Sequence, residues 1–319
     1  MASWTTTTRW ATDLVRIGDL TAPGLDELLD LADRMKAEQE RWVESFPGAS
    51  LTCLYETPST RAGLSAEAAA HRLGMAPIRV APSELRLGRG EPLEDAMRIM
   101  SHYTRAIAAR DLDEDTLEAI ARAADVPVIN LQSPRHHPCQ AVADLVTLRA
   151  RHDTLGGVVL AYVGPSTNAA VSLMQAGAMA GMQVRLACPP DHRPEPEDLT
   201  AAELLADLHG GKVSVGADPK EAVAGADAVY AAPWPETTGE AERRRLATKL
   251  RPFQVNSPIM ALAKPTAVFM HCLPAHRGEE VTDGVIDGRH SVVWEQAGNR
   301  LPAEQAVIYA LVAAAGTER

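Results

Sequence analysis

The chain has 319 residues, and at roughly 100 to 200 residues per domain it should fold as two domains with a sizeable core, which excludes a small disulfide-stapled scaffold. Hydrophobic residues make up 46% and charged residues 23%, the balance of a soluble globular protein, so wholesale disorder is excluded too. Its 31 basic and 42 acidic side chains leave a net charge of −11. That argues against nucleic acid or an anionic membrane as the main partner, but not against a small anion met by a local cluster of arginines.

In chain order, the first expected element is a helix around Leu25 to Glu40, with Thr21 or Asp26 available to cap it. From Leu51 onward, short apolar β-type runs alternate with Ala/Leu-rich stretches, the signature of βαβ units. TCLYE, APIRV, AIAAR and VPVIN read as strands, separated by helices near Ala62 to Leu73, Leu93 to His102 and Glu114 to Ala124. A long helix, Gln140 to Arg151, and a Gly156-Gly157 break open a second series, with strands VVLAYV, QVRLAC, VSV, AVYAA and AVFMHC. Asp191 to Asp198, rich in proline and charge, reads as a loop, Glu240 to Arg245 as a solvated helix face, and Pro302 to Ala314 as a final helix returning to the first domain. The expected architecture is therefore α/β, two doubly wound parallel-sheet domains hinged near residues 136 to 152.

Four scattered cysteines without a CxxC pair, and an N-terminal stretch without a basic segment followed by an apolar run, are those expected of a cytoplasmic protein with reduced thiols. No window reaches the ~18 apolar residues of a membrane span.

Ligands of open α/β sheets bind beyond the carboxyl ends of strands. After TCLYE comes Thr57-Pro58-Ser59-Thr60-Arg61, entering a helix. Helix N–H groups, hydroxyls and a guanidinium suit a phosphate, although Ser59 or Thr60 acting as a plain N-cap is the simpler alternative. AIAAR delivers Arg110 at a second strand end. VPVIN leads to His136-His137-Pro138-Cys139-Gln140, where His137 and Gln140 are spaced to address one carbonyl oxygen. A metal held by His136, His137 and Cys139 lacks further ligands at zinc-like spacing. VVLAYV ends in Gly164-Pro165-Ser166-Thr167-Asn168 without the GxGxxG fingerprint, which disfavours a dinucleotide. AVFMHC places Cys272 at another strand end, as a nucleophile, a substrate contact or a small buried residue. Arg300 precedes the last helix and either reaches the cleft or lies on the surface.

Occurring in this order, the segments LGRGEPLEDAMRIM, VPVINLQSPRHHPCQAVADLVTL and FQVNSPIMALAKPTAVFMHCLPAHRGEEVTDGVIDGRHSVVWEQAGNRLPAEQAVIYALV resemble the aspartate/ornithine carbamoyltransferase family, most closely its ornithine branch. The resemblance covers nearly the whole chain. It implies a carbamoyl-phosphate domain over residues 1–136, with a C-terminal helix at 302–315 packing back on it, and an amino-acid domain over 137–301. It further implies a homotrimer with active sites at subunit interfaces, small-molecule substrates only, and no metal or organic cofactor. By position, Ser59, Thr60 and Arg61 fall on the family's phosphate loop. Arg110, His137, Gln140 and Arg300 fall on its other carbamoyl-phosphate contacts, Cys272 and Leu273 on its HCLP motif, and Asn168 on its GDxxN turn. The implied mechanism is attack of an uncharged amine on the carbonyl carbon while arginines hold the departing phosphate.

Two departures stand out. The phosphate loop continues as Ala62-Gly63 where the family has Thr-Arg, a lost hydroxyl contact to a charged group worth roughly 1.5 to 3 kcal/mol; Arg86 stands where the ornithine branch has a glutamine from the neighbouring subunit and could compensate. The acceptor loop, Asp-x-Trp-x-Ser-Met-Gly in ornithine enzymes, reads Ala232-Pro233-Trp234-Pro235-Glu236-Thr237-Thr238-Gly239. Pro165 likewise replaces the Asp of GDxxN. Trp234 is kept, and Glu236 is the group that could replace the missing carboxylate. Beside carbamoyl transfer to ornithine or a related amine, a different electrophile or a non-catalytic relative are the competing readings.

Overall fold

The computed structural model describes residues 12–55, 60–85, 90–235 and 239–317. Ser59, Arg86 and Glu236 lie outside the described residues.

The chain divides into two compact units, residues 1–146 with 300–319, and residues 147–299. In the first unit, α1 (Ala22–Ala37) is capped by Thr21, whose hydroxyl accepts from Gly24 N at 3.1 Å, so the helix starts three residues before the sequence expectation. There follow β1 (Ser50–Tyr55), α2 (Thr60–Arg72), β2 (Ala76–Val80), α3 (Leu93–Tyr103), β3 (Ala106–Arg110), α4 (Glu114–Ala123), β4 (Val128–Gln132) and the start of α5 (Pro138–Arg149). The four strands are parallel in the order β2-β1-β3-β4. β1, β3 and β4 are buried almost throughout, while β2 at the edge is largely exposed. Strands covered on both faces read as unbroken apolar runs, which is why they were legible. Leu54, Met97, Ile107, Leu117, Ile120 and Val128 are central to the core on one face.

The second unit holds β5 (Val159–Val163), α6 (Asn168–Met179), β6 (Gln183–Ala187), α7 (Pro196–His209), β7 (Lys212–Gly216), α8 (Pro219–Val223), β8 (Ala228–Ala231), α9 (Glu240–Leu250), α10 (Ser257–Met260), β9 (Val268–Met270) and α11 (Asp283–Ile286). Its five strands are parallel in the order β7-β6-β5-β8-β9. Tyr162 and Tyr230, in register on β5 and β8, stack with ring centroids 5.3 Å apart. Val163, Val229, Phe269, Val281 and Ile286 belong to a buried cluster on the opposite face of the sheet.

Three boundaries correct the sequence expectations. β4 begins at Val128, two residues late, after Pro127, which has no N–H to give a ladder. The loop at Asp191 to Asp198 ends sooner: Pro196 opens α7, and Glu197 and Asp198 occupy its first turn, where acids complement the helix dipole. The last helix, α12, runs Val293–Thr317, with Pro302 inside it rather than at its start. Among the described residues no helix is long and apolar enough to cross a membrane.

Candidate functional site

In the first unit, connections run one way from β1 to β2 and the other way from β3 to β4, so the strand order reverses between β1 and β3. Such a reversal leaves a crevice beyond the carboxyl ends of the two strands. Arg61 follows β1 as the second residue of α2, and Arg110 ends β3. His137 and Gln140 follow β4, at the entry and in the first turn of α5. Arg300 comes from α12.

These five side chains share one locality. Arg110 donates through Nη2 to Gln132 Oε1 (3.2 Å) and through Nη1 to Asp111 Oδ2 (3.3 Å). Asp111 itself sits at a φ of 62°. Arg300, 5% exposed, donates through Nη1 to Gln140 Oε1 (3.1 Å) and through Nη2 to Glu304 Oε1 (2.8 Å). Gln140 Nε2 donates to Asp144 Oδ1 at 2.8 Å. His137 is buried, and its pKa is held well below the ordinary histidine value, first by burial and then by the Arg300, Arg110 and Arg61 cations. The imidazole is therefore neutral near pH 7 and can offer a hydrogen bond without adding charge. Cys139 Sγ faces Asn130 O at 3.5 Å, and burial raises its thiol pKa well above the usual range. Thr60 is the first residue of α2.

In the second unit the strand order reverses between β5 and β8. β5 passes through Gly164 to α6, whose first residue is Asn168. β8 passes into Ala232, Pro233 and Trp234, and Trp234 is 5% exposed with its indole N–H buried and not hydrogen-bonded among the described residues. Gly164 has φ +121°, and a Cβ there would lie 2.8 Å from Ala232 Cβ, so the two turns touch backbone to side chain. β9 leads to His271-Cys272-Leu273-Pro274, with a cis Leu273–Pro274 bond and Leu273 at φ 57°. Cys272 is partly exposed and unbridged.

The turn carrying Cys272 is held by residues that the sequence reading missed. His271 N donates to Gln296 Oε1 (2.9 Å), and Leu273 N donates to His271 Nδ1 (2.8 Å). His271 Nε2 lies 3.4 Å from Oε1 of the fully buried Glu280, which also accepts from His276 N at 2.5 Å. His276, Glu279 and Glu280 have ligand atoms within 4.8 Å of one another and are the group that could hold a cation among the described residues. Their observed bonds are those of a buried carboxylate fixing a turn. Asp111, Gln132, Asp144 and Glu304 were missed in the same way. For Asp144 and Glu304 the signal was spacing, since Asp144 lies four residues after Gln140 and Glu304 four after Arg300.

Residues 12–150 match the family model "Aspartate/ornithine carbamoyltransferase, carbamoyl-P binding domain", and residues 156–311 match "Aspartate/ornithine carbamoyltransferase, Asp/Orn binding domain". The ornithine carbamoyltransferase of Listeria monocytogenes serotype 4a is 41% identical over 303 residues, 95% of this chain and 96% of that one. The solved ornithine carbamoyltransferase of Pyrococcus furiosus superposes with a TM-score of 0.90 at 41% identity, covering 95% of this chain and 97% of that one. A solved mutant of N-acetyl-L-ornithine transcarbamylase gives 0.83 at 28% identity, covering 94% and 98%.

Proposed function

The chain belongs to the aspartate/ornithine carbamoyltransferase family, and from that premise we propose that it moves the carbamoyl group of carbamoyl phosphate to an amine of ornithine or a related amino acid, releasing phosphate. The observation that carries this reading is the convergence of Arg61, Arg110 and Arg300 on a buried neutral His137. Three guanidiniums suit a phosphate dianion, because each can form charge-assisted hydrogen bonds to its oxygens. Neutral His137, with Arg61, suits the carbonyl oxygen, which gains negative charge as the amine attacks.

In this reaction the amine lone pair forms the new C–N bond while the bond from carbon to the phosphate oxygen breaks. The phosphate leaves with that electron pair, and the proton given up by the nitrogen ends on the departing phosphate. Gln140 fixes Arg300, while Ser59 and Thr60 complete the phosphate grip, with Arg86 making good what Ala62 and Gly63 lack. Asn168, Trp234, Cys272 and Leu273 hold the acceptor, and Glu236 supplies the carboxylate that Ala232 and Pro165 do not. The absence of a carboxylate from residues 164–168 and 232–235 favours a second acceptor reading, an amine whose α-nitrogen is not a free ammonium; one solved relative is named for N-acetyl-L-ornithine. The same family membership supports a homotrimer, for which the exposed Leu64, Ile78 and Tyr103 are suited contact groups; light scattering tests it. Its four unbridged cysteines suit a cytoplasmic location.

The test is a ureido-product assay with carbamoyl phosphate and a panel of ornithine, N-acetylornithine, lysine, putrescine and 2,3-diaminopropionate. Turnover of one amine that falls by at least a hundredfold in Arg61→Ala supports the reading. No product with any amine, together with no binding of carbamoyl phosphate, rejects it and leaves the altered electrophile or the non-catalytic relative.

A further inference from the structure

Two carboxylates in the first unit are buried and have no part in the chemistry above: Asp144 is 0% exposed and Glu304 1%. Each stands one helical turn beyond a group that does have a part. Asp144 follows Gln140 on α5 and accepts from its Nε2, while Glu304 follows Arg300 on α12 and accepts from its Nη2, both at 2.8 Å. Between them, Arg300 Nη1 donates to Gln140 Oε1 at 3.1 Å. The four side chains thus form one continuous row, Asp144, Gln140, Arg300, Glu304.

The direction of that row is set from its ends. A primary amide has one accepting and one donating end, and Asp144 Oδ1 takes the donating end. Gln140 can then present only its oxygen to Arg300. Were the amide reversed, its NH2 would face a guanidinium and its oxygen a carboxylate, two repulsive contacts in a buried site. Glu304 grips the other Nη of Arg300, so the guanidinium is held at two of its nitrogens. The Glu304 carboxyl is raised in pKa, first by burial, with Arg300 and Ser65 opposing. Burying an ion pair costs desolvation that its attraction only about repays, so fold stability gives little reason for two such carboxylates here.

We propose that Asp144 and Glu304 are positioning residues that hold Gln140 and Arg300 in the single arrangement an anionic electrophile meets. This rests on the carbamoyl-phosphate reading for its ligand, though not for its geometry. The rival role for Glu304 is to damp the charge of Arg300, and the two roles predict opposite signs. Glu304→Gln keeps the shape and one accepting oxygen but removes the charge. If the carboxylate only damped Arg300, its loss would tighten anion binding; if it positions Arg300, its loss weakens binding.

Glu304→Gln and Asp144→Asn proteins are titrated with inorganic phosphate by calorimetry, and exchange of the Arg300 side-chain N–H protons is read by 15N NMR without ligand. Positioning predicts a phosphate Kd raised about tenfold in each variant. It also predicts Arg300 proton exchange at least tenfold faster in Glu304→Gln, and a double variant little worse than the weaker single one. Removing one partner of a buried pair lowers the unfolding midpoint of Glu304→Gln, so both readouts are taken well below it. Asp144→Asn serves if Glu304→Gln does not fold. Tighter phosphate binding with Arg300 protons still protected would overturn the proposal. If the wild-type protein binds neither phosphate nor carbamoyl phosphate, the functional reading fails, and the exchange rates still decide the positioning role.

Discussion

Gly164→Ala tests whether the two turns that flank the strand reversal of the second unit are locked together. Two separate costs are expected. The backbone at Gly164 has φ +121°, a region that residues with a side chain rarely enter, and forcing one there costs on the order of 1–3 kcal/mol. The new methyl would also sit 2.8 Å from Ala232 Cβ. Relieving that overlap means moving a backbone held by Gly164 N to Ala187 O and Ala232 N to Val163 O, each 2.9 Å, and overpacking of this kind costs about 1–3 kcal/mol. The sum, near 4 kcal/mol, corresponds to a fall of roughly 8–16 °C in melting temperature for a unit of this size. Adding Ala232→Gly removes the partner methyl but not the φ strain. The double variant should therefore recover about half of the loss, less the ~0.5–1 kcal/mol that a glycine costs through chain entropy. The assay is thermal unfolding of all four proteins of the cycle, with KM for the amine and for carbamoyl phosphate measured alongside. The amine KM should rise in Gly164→Ala, with that for carbamoyl phosphate nearly unchanged. Strictly additive melting shifts would show that the methyl contact carries no energy and would refute the steric half of the reasoning.

Two titrations give further predictions. Asp13 is half-buried, and its carboxyl is raised from 3.8 to about 6, chiefly by burial, with Asp19 adding and the Val128 N–H opposing. The native protein then holds a proton that the unfolded chain has released, so this contribution to stability is full below pH 3.8 and lost as pH rises through about 6. That gap is worth about 3 kcal/mol, and solvent screening at a partly exposed site reduces it to roughly 1–2. Asp13→Asn, whose amide oxygen can still accept from Val128 N, should raise urea resistance at pH 7 and give no gain at pH 4; an equal effect at both pH values would count against it. His137 has the opposite sense: its depressed pKa means that stability is full above 6.5 and lost below it, by at most about 1.4 kcal/mol per pH unit. His137→Gln should flatten that acid slope, and an unchanged slope would place the titration elsewhere.

Much of the architecture was open to reading because a parallel sheet covered on both faces leaves unbroken apolar runs such as AIAAR and VVLAYV. Boundaries failed where proline has two meanings. Pro302 reads as a helix start, since its missing N–H is harmless there; in the structure the helix begins at Val293 and passes through it. Pro196, grouped with charge, reads as loop, yet it is the first residue of α7. Candidate residues such as Arg110 and Arg300 were visible as charges at element ends, but each alone was as consistent with a surface position. Only the tertiary arrangement brings three cations to one buried imidazole.

The residues that escaped notice had a readable signature of another kind. Residues 136–148 are buried throughout, and α5 is apolar around most of its circumference. A helix of that kind has no solvent face on which to place a charge. An acid such as Asp144 in it must therefore find a donor inside, and the donors within reach of a helical side chain lie three or four residues away. Gln140 is the polar residue at that distance toward the strand end. The same reasoning on α12, where Glu304 follows Arg300 by four in an alanine-rich run, yields the second pair. A lone acid in an all-apolar helix thus points back to the functional group it serves, and the search for a site in such a chain should begin from its misplaced carboxylates as well as from its arginines.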